Sequence, residues 1–437
     1  MLTNPVFLSV IIMVGLSLAK LNVLLSLIVA ALAGGLLAGM PLGETMNTLI
    51  DGMGGNSSTA LSYILLGALA ATLHKTGITV ILTHRILRIV KDKAVVLILV
   101  IAAIASLSQN LIPVHIAFIP ILIPPLLVVM NKLRIDRRAV ASALTFGLKA
   151  PYVALPVGFG WIFHGIISDQ MAANGLEISQ GQVWHVMWIA GAAMVVGLLV
   201  AVFVTYRKPR DYEEREPASV AGPSEEAAEE RMSRKHWVAL VGALTALAVQ
   251  VSPLESLHIG AILGIAIIVI GGALKWSDLD EMLHSGIGMM GFIAFVMLVA
   301  AGYGEVLRET GAIEPLVETA NAMFGGSRVL GATMMIVIGL FITMGLGTSF
   351  GTIPIIAAIY VPMAMSMGFS TPATILLIGT AAALGDAGSP ASDSTLGPTA
   401  GLNVDGQHDH IWDTCVPTFL HYNIPLMVVG IAGAVML

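Results

Sequence analysis

The stretch Gly385–Asp386–Ala387–Gly388–Ser389–Pro390–Ala391–Ser392–Asp393–Ser394–Thr395–Leu396–Gly397–Pro398 decides the fold, because it interrupts a long apolar run with carboxylates, hydroxyls, glycines and prolines. Proline removes a backbone donor and glycine weakens a helix, so the sequence predicts a helix that breaks here. Broken backbone at membrane depth is tolerated only where protein or water satisfies its polar groups, and ionisable side chains there indicate a functional site. A polar loop outside the bilayer is the alternative.

The composition places this stretch in a membrane protein. Of the 437 residues, 57% are hydrophobic and only 11% are charged, whereas soluble domains carry roughly 25% charged residues. We therefore expect a polytopic membrane protein. A single cysteine, Cys415, excludes an internal disulfide and a thiolate metal cluster. The amino terminus lacks the basic region of a cleavable signal, so the first helix is expected to stay in the membrane.

A charged linker separates two apolar halves. Residues 207–235 are rich in Glu, Ala, Ser and Pro, and they have little to bury. We therefore predict a first membrane repeat over 1–206, a cytoplasmic linker over 207–235 and a second membrane repeat over 236–437. Apolar helical segments are predicted at 4–19, 22–40, 58–76, 94–108, 114–131, 137–148, 157–172, 183–206, 236–252, 256–274, 286–307, 328–345, 353–367, 371–385 and 411–437.

The two halves share landmarks in the same order. Gly52 pairs with Gly286 and Gly77 with Gly311 at one constant offset, and further on a Pro151-to-Pro390 match follows with a small shift. A shared order of such matches indicates an internal duplication, which is typical of secondary transporters.

Positive residues predict how the halves lie in the membrane. Lysines and arginines flank 94–131 on both sides, so both ends of this stretch prefer the cytoplasm. Its polar middle, 106–113, favours a re-entrant hairpin over two full spans. The predicted fold is all-α, with two inverted-topology repeats of about five crossing helices, one re-entrant hairpin and one broken helix each. This count leaves both termini outside. The segments 78–92 and 313–324 have the pattern of amphipathic arms at the interface.

Four interruptions fall at matching places: the hairpin tips 106–113 and 345–354, and the helix breaks 147–158 and 385–398. Carboxylates, hydroxyls and free carbonyls suit a hard cation such as sodium, and amide ends suit an anion. Asp386 and Asp393 are the candidate sodium ligands or proton carriers, although either acid can instead cap a half-helix. The further candidate binding residues are Ser389, Ser392, Ser394 and Thr395 in the break and Ser108, Gln109, Asn110, Thr348, Ser349 and Thr352 at the tips.

Lys149 lies in the predicted break of the first half, where a structural ion pair and a contact to substrate are both open. The tip side chains have a similar alternative, since they can satisfy their own hairpin backbone. Among the histidines, His164 and His421 have the pattern of packed residues, and His408 and His410 are expected in a solvated cytoplasmic turn.

The stretch 385–398 resembles the NhaC-type sodium/proton antiporter family, in which a GD-x-x-SP-x-SD-T/S-T pattern recurs. The general plan is similar to the wider ion transporter superfamily over nearly the whole chain. The resemblance implies a homodimer, with a scaffold domain and a transport domain that moves as an elevator. In one respect the sequence departs from the antiporters, since Leu148 stands where their first-half break tends to carry an acid.

The sequence therefore predicts a secondary active transporter of a bacterial-type inner membrane rather than an enzyme. Its leading function is sodium/proton antiport at Asp386 and Asp393. The alternative is sodium- or proton-coupled transport of an amino acid or small carboxylate that contacts Lys149. Sodium and protons are the coupling ions, and no other cofactor and no nucleic-acid partner is expected. An intramembrane aspartyl protease is disfavoured, because the first glycine of its Gly-x-Gly-Asp motif is absent and both aspartates lie in one segment.

Overall fold

The computed structural model of the protein describes residues 3–19, 21–78, 93–110, 119–213, 232–250, 254, 256–324, 326–390 and 392–437. Within these ranges the chain forms helices and no strand, which confirms the predicted all-α class. In the first half the helices are α1 Pro5–Leu18, α2 Val23–Leu37, α3 Leu42–Gly52, α4 Ser57–Thr76, α5 Ala94–Asn110, α6 Ile119–Lys132, α7 Arg137–Ala154, α8 Phe159–Ala173 and α9 Gln180–Thr205.

After the linker the helices are α10 Arg234–Gln250, α11 Leu257–Ile270, α12 Leu279–Glu309, α13 Ile313–Phe324, α14 Arg328–Leu346, α15 Ser349–Ser366, α16 Thr371–Ala383, α17 Asp393–Leu402 and α18 His410–Met436. They follow the predicted segments closely, because long apolar runs bounded by caps set their ends. Ser327 and Ser370, for example, each accept a backbone N–H in the first turn of the following helix.

Several helices have the length and hydropathy to cross a bilayer. Among the described residues these are α9, α15, α18 and Met290–Glu309 of α12, and the bent pairs α3–α4 and α7–α8 raise the number from 4 to 6 if each pair forms one span. The other apolar helices are shorter. The chain is thus a multi-pass membrane protein, while five crossings per half and the inversion of the halves stay predictions.

The helices pack in two neighbouring groups. In the first, α4 packs on α11 and on α12, which also contacts α2 and α3. Glycine allows the closest approach there, since a Cβ on Gly67 would lie 2.6 Å from the carbonyl oxygen of Gly286. In the second group, α7 packs on α5 and α9, and α16 packs on α14, α15 and α18. The helices α12 and α15 are in contact, and they join the two groups.

The break in the second half begins where it was predicted but is shorter than 385–398, because Pro398 is accommodated inside α17. Helix α16 ends at Ala383 and α17 begins at Asp393, so Leu384 to Ser392 connect two half-helices. At the neighbouring tip, α14 ends at Leu346, Gly347 adopts the left-handed conformation with φ 67°, and α15 begins at Ser349. The irregular tip is therefore shorter than predicted, because Pro354 is accommodated inside α15.

The break in the first half is also shorter than predicted. Helix α7 continues through Gly147 and Pro151 to Ala154, and a bend of 48° separates it from α8. Close packing against α5 maintains the helix at Gly147, where a Cβ would lie 2.3 Å from the Cβ of Ala105. Lys149 thus lies within a helix and not in a broken segment, which corrects the sequence interpretation.

Two predicted features fall partly outside the described residues. The helix α5 extends to Asn110 and includes Ser106 and Leu107 of the first tip, but the side chains of Ser108, Gln109 and Asn110 and residues 111–113 lie outside the described part of the chain. The same holds for 79–92, most of the first predicted arm, whereas the second predicted arm forms the helix α13.

Candidate functional site

Asp386 occupies the centre of the broken helix, and its side chain is fully buried. The chain reaches it through Gly385, which has a φ of 74° and whose amide donates to Oδ1 of Asn423 at 3.2 Å. A Cβ on Gly385 would lie 2.7 Å from the backbone nitrogen of Met344. Both the backbone conformation and the lack of space therefore require glycine immediately before the aspartate.

The carboxylate of Asp386 collects hydrogen-bond donors from three elements. Its Oδ2 accepts from Nζ of Lys149 at 2.7 Å, from the hydroxyl of Tyr152 at 3.2 Å and from the amide of Ser349 at 3.0 Å. The Ser349 hydroxyl also donates to Oδ2, and the Ser392 hydroxyl donates to Oδ1. The buried charge is thus fully solvated by protein groups, as a buried carboxylate requires.

Lys149 connects the two aspartates. Its side chain is 7% exposed, and Nζ lies 3.6 Å from Oδ1 of Asp393 as well as in contact with Asp386. Asp393 begins α17, and its side chain is 30% exposed, so this carboxylate is the accessible member of the cluster. The structure therefore brings Lys149, Asp386 and Asp393 together, and it shows the ion pair that the sequence left open.

The other hydroxyls of the break mainly hold the backbone. Ser392 caps α17 by accepting the amide of Ser394, and the Ser394 hydroxyl donates to the carbonyl of Asp386 at 2.9 Å. Ser389 donates to the carbonyl of Met344 at 3.0 Å, and Thr395 donates to the carbonyl of Ser392 at 2.9 Å. Serine, and neither aspartate, supplies the cap of α17.

At the second tip the predicted residues have different roles. Ser349 is in direct contact with Asp386 through both its amide and its hydroxyl. Thr352 is buried and donates to the carbonyl of Thr348 at 2.8 Å, so both take part in the backbone of α15. This is the backbone role that the sequence kept open as the alternative.

Aromatic residues that the sequence interpretation missed surround the pair. Tyr152 lies one helical turn from Lys149, and its ring centroid is 5.1 Å from that of Phe350. The ring of Phe350 also meets Phe163 at 5.8 Å and Tyr63 at 5.6 Å. The i, i+3 spacing of Lys149 and Tyr152 was a usable signal, but nothing in the sequence indicated Tyr63.

The histidines lie away from the pair. His164 is buried and contacts the carbonyl of Val153, and His421 contacts the carbonyl of Pro417, in agreement with packed roles. His408 is only 2% exposed and lies 2.7 Å from the hydroxyl of Thr414. The prediction of a solvated turn is therefore wrong for His408, because the loop before α18 folds back onto that helix.

A polar cavity of about 320 Å³ lies on the α4–α11 side of α8. It is lined by Ser58, Ser62, Trp161, Asp169, Gln180 and His258, among others. Nε2 of His258 lies 2.9 Å from the Ser62 hydroxyl and joins α11 to α4. Within the described ranges, no group of three or more His, Cys, Asp or Glu side chains forms a metal-binding cluster.

Comparison with known families identifies two that match this chain. The Na+/H+ antiporter family matches residues 143–431, which is more than half of the chain and includes the whole site. A second Na+-H+ antiporter family matches residues 4–90. The chain belongs to the Na+/H+ antiporter family. It is a secondary transporter, and its family and structural neighbours are transporters rather than enzymes.

Two relatives match this chain over nearly its whole length. An uncharacterised membrane protein of Vibrio parahaemolyticus is 48% identical over 99% of this chain and 100% of its own length. The putative amino acid transporter YuiF of Bacillus subtilis is 46% identical over 99% of this chain and 100% of its own length.

Solved transporters share the fold. The YdaH transporter of Alcanivorax borkumensis has a TM-score of 0.64 and 15% identity, covering 89% of this chain and 87% of its own. MtrF of Neisseria gonorrhoeae, a member of a class of antimetabolite efflux pumps, has a TM-score of 0.64 and 15% identity, and the match covers 91% of this chain and 85% of its own.

Proposed function

We propose that the chain exchanges sodium for protons, with Asp386 and Lys149 as the exchanging pair. The observation that carries this proposal is the buried contact of 2.7 Å between their charged atoms at the break. One carboxylate serves two competing cations in turn, the ammonium of Lys149 and a sodium ion. The hydroxyls of Ser349 and Ser392, already in contact with Asp386, supply further oxygen ligands of the kind that sodium takes.

The exchange follows from the cost of a buried charge. When sodium binds Asp386, Lys149 loses its buried partner and keeps only the partly exposed Asp393, 3.6 Å away, so its buried ammonium is disfavoured. Lys149 then releases one proton for each sodium bound. When a proton returns to the lysine, the ammonium competes for the carboxylate again and the sodium leaves. Asp393, 3.6 Å from the lysine, is the partly exposed group through which the ions reach the pair.

We further infer an elevator-type alternating access, in which the group of α5–α9 and α14–α18 moves relative to the group of α2–α4 and α10–α12. The resemblance to the ion transporter superfamily supports this motion, and it supports a homodimer in a bacterial-type inner membrane. The positive residues at 132–138 favour a cytoplasmic position for the linker 207–235, with both termini outside.

Sodium-driven proton flux in proteoliposomes tests the exchange. Asp386→Asn should abolish it, because the amide cannot hold either cation. Asp393→Asn should weaken sodium dependence without abolishing exchange, and Asp51→Asn, an exposed acid on α3, is the matched control. Exchange that survives in the Asp386→Asn/Asp393→Asn double variant would sink the proposal.

A second candidate is cation-coupled transport of an amino acid or small carboxylate. Opposite charges on Lys149 and the partly exposed Asp393 offer partners for both ends of a zwitterion, and a relative 46% identical carries the name putative amino acid transporter. Thermal stabilisation of purified protein by a panel of amino acids and small carboxylates tests it, since binding raises stability with concentration over affinity. Lys149→Ala should abolish saturable uptake of any compound found in this way.

A further inference from the structure

Tyr63 carries a buried hydroxyl. The residue lies on α4 and is 2% exposed, and its hydroxyl has no hydrogen-bond partner within the described part of the chain. A buried polar group without a partner is costly, and the hydroxyls of other buried tyrosines are bonded. Those of Tyr303 and Tyr422, for example, bond to Ser9 and to the carbonyl of Ser142.

Tyr63 faces the site from the other group of helices. Its ring centroid lies 5.7 Å from that of Phe159 and 5.6 Å from that of Phe350. Phe350 directly follows Ser349, which holds Asp386. Within the described part of the chain, the aromatic cluster next to Ser349 thus contains a donor without a partner, on a helix that packs with α11 and α12.

The polar cavity begins at the next residue. Ser62 lines it, and so does Ile162, which neighbours Phe163 of the aromatic cluster. The aromatic side chains of Tyr63 and Phe159 thus lie on the same two helices, α4 and α8, as residues that line the cavity. Rings of this kind accommodate an apolar body, and a phenol among them contributes one directed polar contact.

We propose that Tyr63 is a cargo-binding residue, whose hydroxyl donates a hydrogen bond to the carboxylate of an amino acid or small organic acid held at Lys149. An acceptor on the cargo can take the hydrogen bond of the Tyr63 hydroxyl. A sodium ion would bind only the oxygen of this hydroxyl and leave its proton unpaired. The role rests on the second candidate function above. With this role for Tyr63, both groups of helices contribute residues to the binding site.

The test is Tyr63→Phe, which removes the hydroxyl and keeps the ring. Without bound cargo, Tyr63→Phe should be at least as stable as the parent protein, because the substitution removes a buried hydroxyl that has no partner within the described part of the chain. Its KM for an amino acid or carboxylate found by the panel should rise roughly tenfold, the effect of one lost hydrogen bond. Tyr303→Phe is the matched control, since it loses a bonded hydroxyl and should lower Tm without a change in KM.

Each result of this experiment supports or contradicts the proposed role of Tyr63 in binding cargo. A panel compound that binds both Tyr63→Phe and the parent with equal affinity overturns it and leaves the transport function standing. A Tm of the empty variant below that of the parent contradicts the premise that the hydroxyl is unpartnered. If no panel compound stabilises the parent protein, the second candidate function fails and the role of Tyr63 fails with it, while sodium/proton exchange is tested separately by proton flux.

Discussion

At the scale of single residues, the protein depends on one buried ion pair whose partners are far apart in the chain. Lys149 and Asp386 are separated by 237 positions, and their charged side chains are 7% and 1% exposed. Removing one partner of a buried pair leaves an uncompensated charge, whereas removing both leaves none. The pair is therefore expected to show strong coupling in a double-mutant cycle.

We predict that Lys149→Met and Asp386→Asn each lower the free energy of unfolding by about 3–5 kcal/mol. The double variant should lose clearly less than the sum of the two, because each change removes the reason for the other's cost. Unfolding in mixed detergent micelles measures all three. The exposed pair Arg134–Asp211 is the control, and its double variant should be close to additive. Additive losses at Lys149 and Asp386 would show that the contact contributes little.

At the scale of elements, the break between α16 and α17 depends on its glycine. Gly385 has a φ of 74°, and an added Cβ would lie 2.7 Å from the nitrogen of Met344 and 2.9 Å from the carbonyl oxygen of Leu340. Backbone atoms of a neighbouring helix cannot move aside cheaply. The break and the tip of α14–α15 are thus fixed against each other by close contact.

Gly385→Ala should therefore lower stability by more than the roughly 1 kcal/mol expected for alanine at a positive φ alone, and it should reduce transport because it displaces Asp386. Gly175→Ala is the matched control: Gly175 has a φ of 88° after α8, but its Cβ would meet nothing within 4 Å. Thermal unfolding and proton flux of the two variants give the comparison. Equal effects of both substitutions would mean that crowding at Gly385 has no consequence.

The helices were largely predictable from the sequence, because their ends are set by local features. These are the length of each apolar run, the capping residues and the positions of glycine and proline. Predictions at Gly147 and Pro354 were wrong in extent because tertiary packing carries a helix through a weak residue. Asp386, Asp393 and Ser392 could be singled out from one stretch. Their pairing with Lys149 and the position of Tyr63 in the aromatic cluster could not, since both depend on how distant helices cross.

At the scale of the whole molecule, the start of the linker, the loop after α6 and the loop before α18 meet at one end of the protein. Arg137 is fully buried and donates to both oxygens of Asp405, and Arg210 donates to Asp413 at 2.9 Å. The guanidinium of Arg137 also lies 4.1 Å from the ring centroid of Tyr212. The first residues of the linker are thus held against the group of helices that carries the site.

The ionisable groups at this end of the protein should make its free energy of unfolding depend on pH in the acid range. Burial is the main reason that the pKa of His408 falls from 6.5 to about 4; the charges of Arg137 and Arg210 act in the same direction, and those of Asp413 and Asp136 oppose them. Although burial opposes it, the hydrogen bonds and charge of Arg137 hold the pKa of Asp405 below its ordinary value. Both groups bind fewer protons in the folded state than in the unfolded state, so the stability they contribute is lost as pH falls.

We predict a constant Tm above pH 6.5 and a decline between pH 6.5 and about 4, where the unfolded chain protonates His408 and the folded protein does not. The slope from this one proton reaches at most about 1.4 kcal/mol per pH unit. Below that range the protonation of Asp405 should add to the loss. His408→Gln should flatten the upper part of the decline, because an amide can keep a bond to Thr414 without titrating. His185→Gln, at an exposed position, should leave the profile unchanged. A profile of His408→Gln that coincides with the parent would show that His408 does not contribute to the loss of stability in acid, which would then come from other groups.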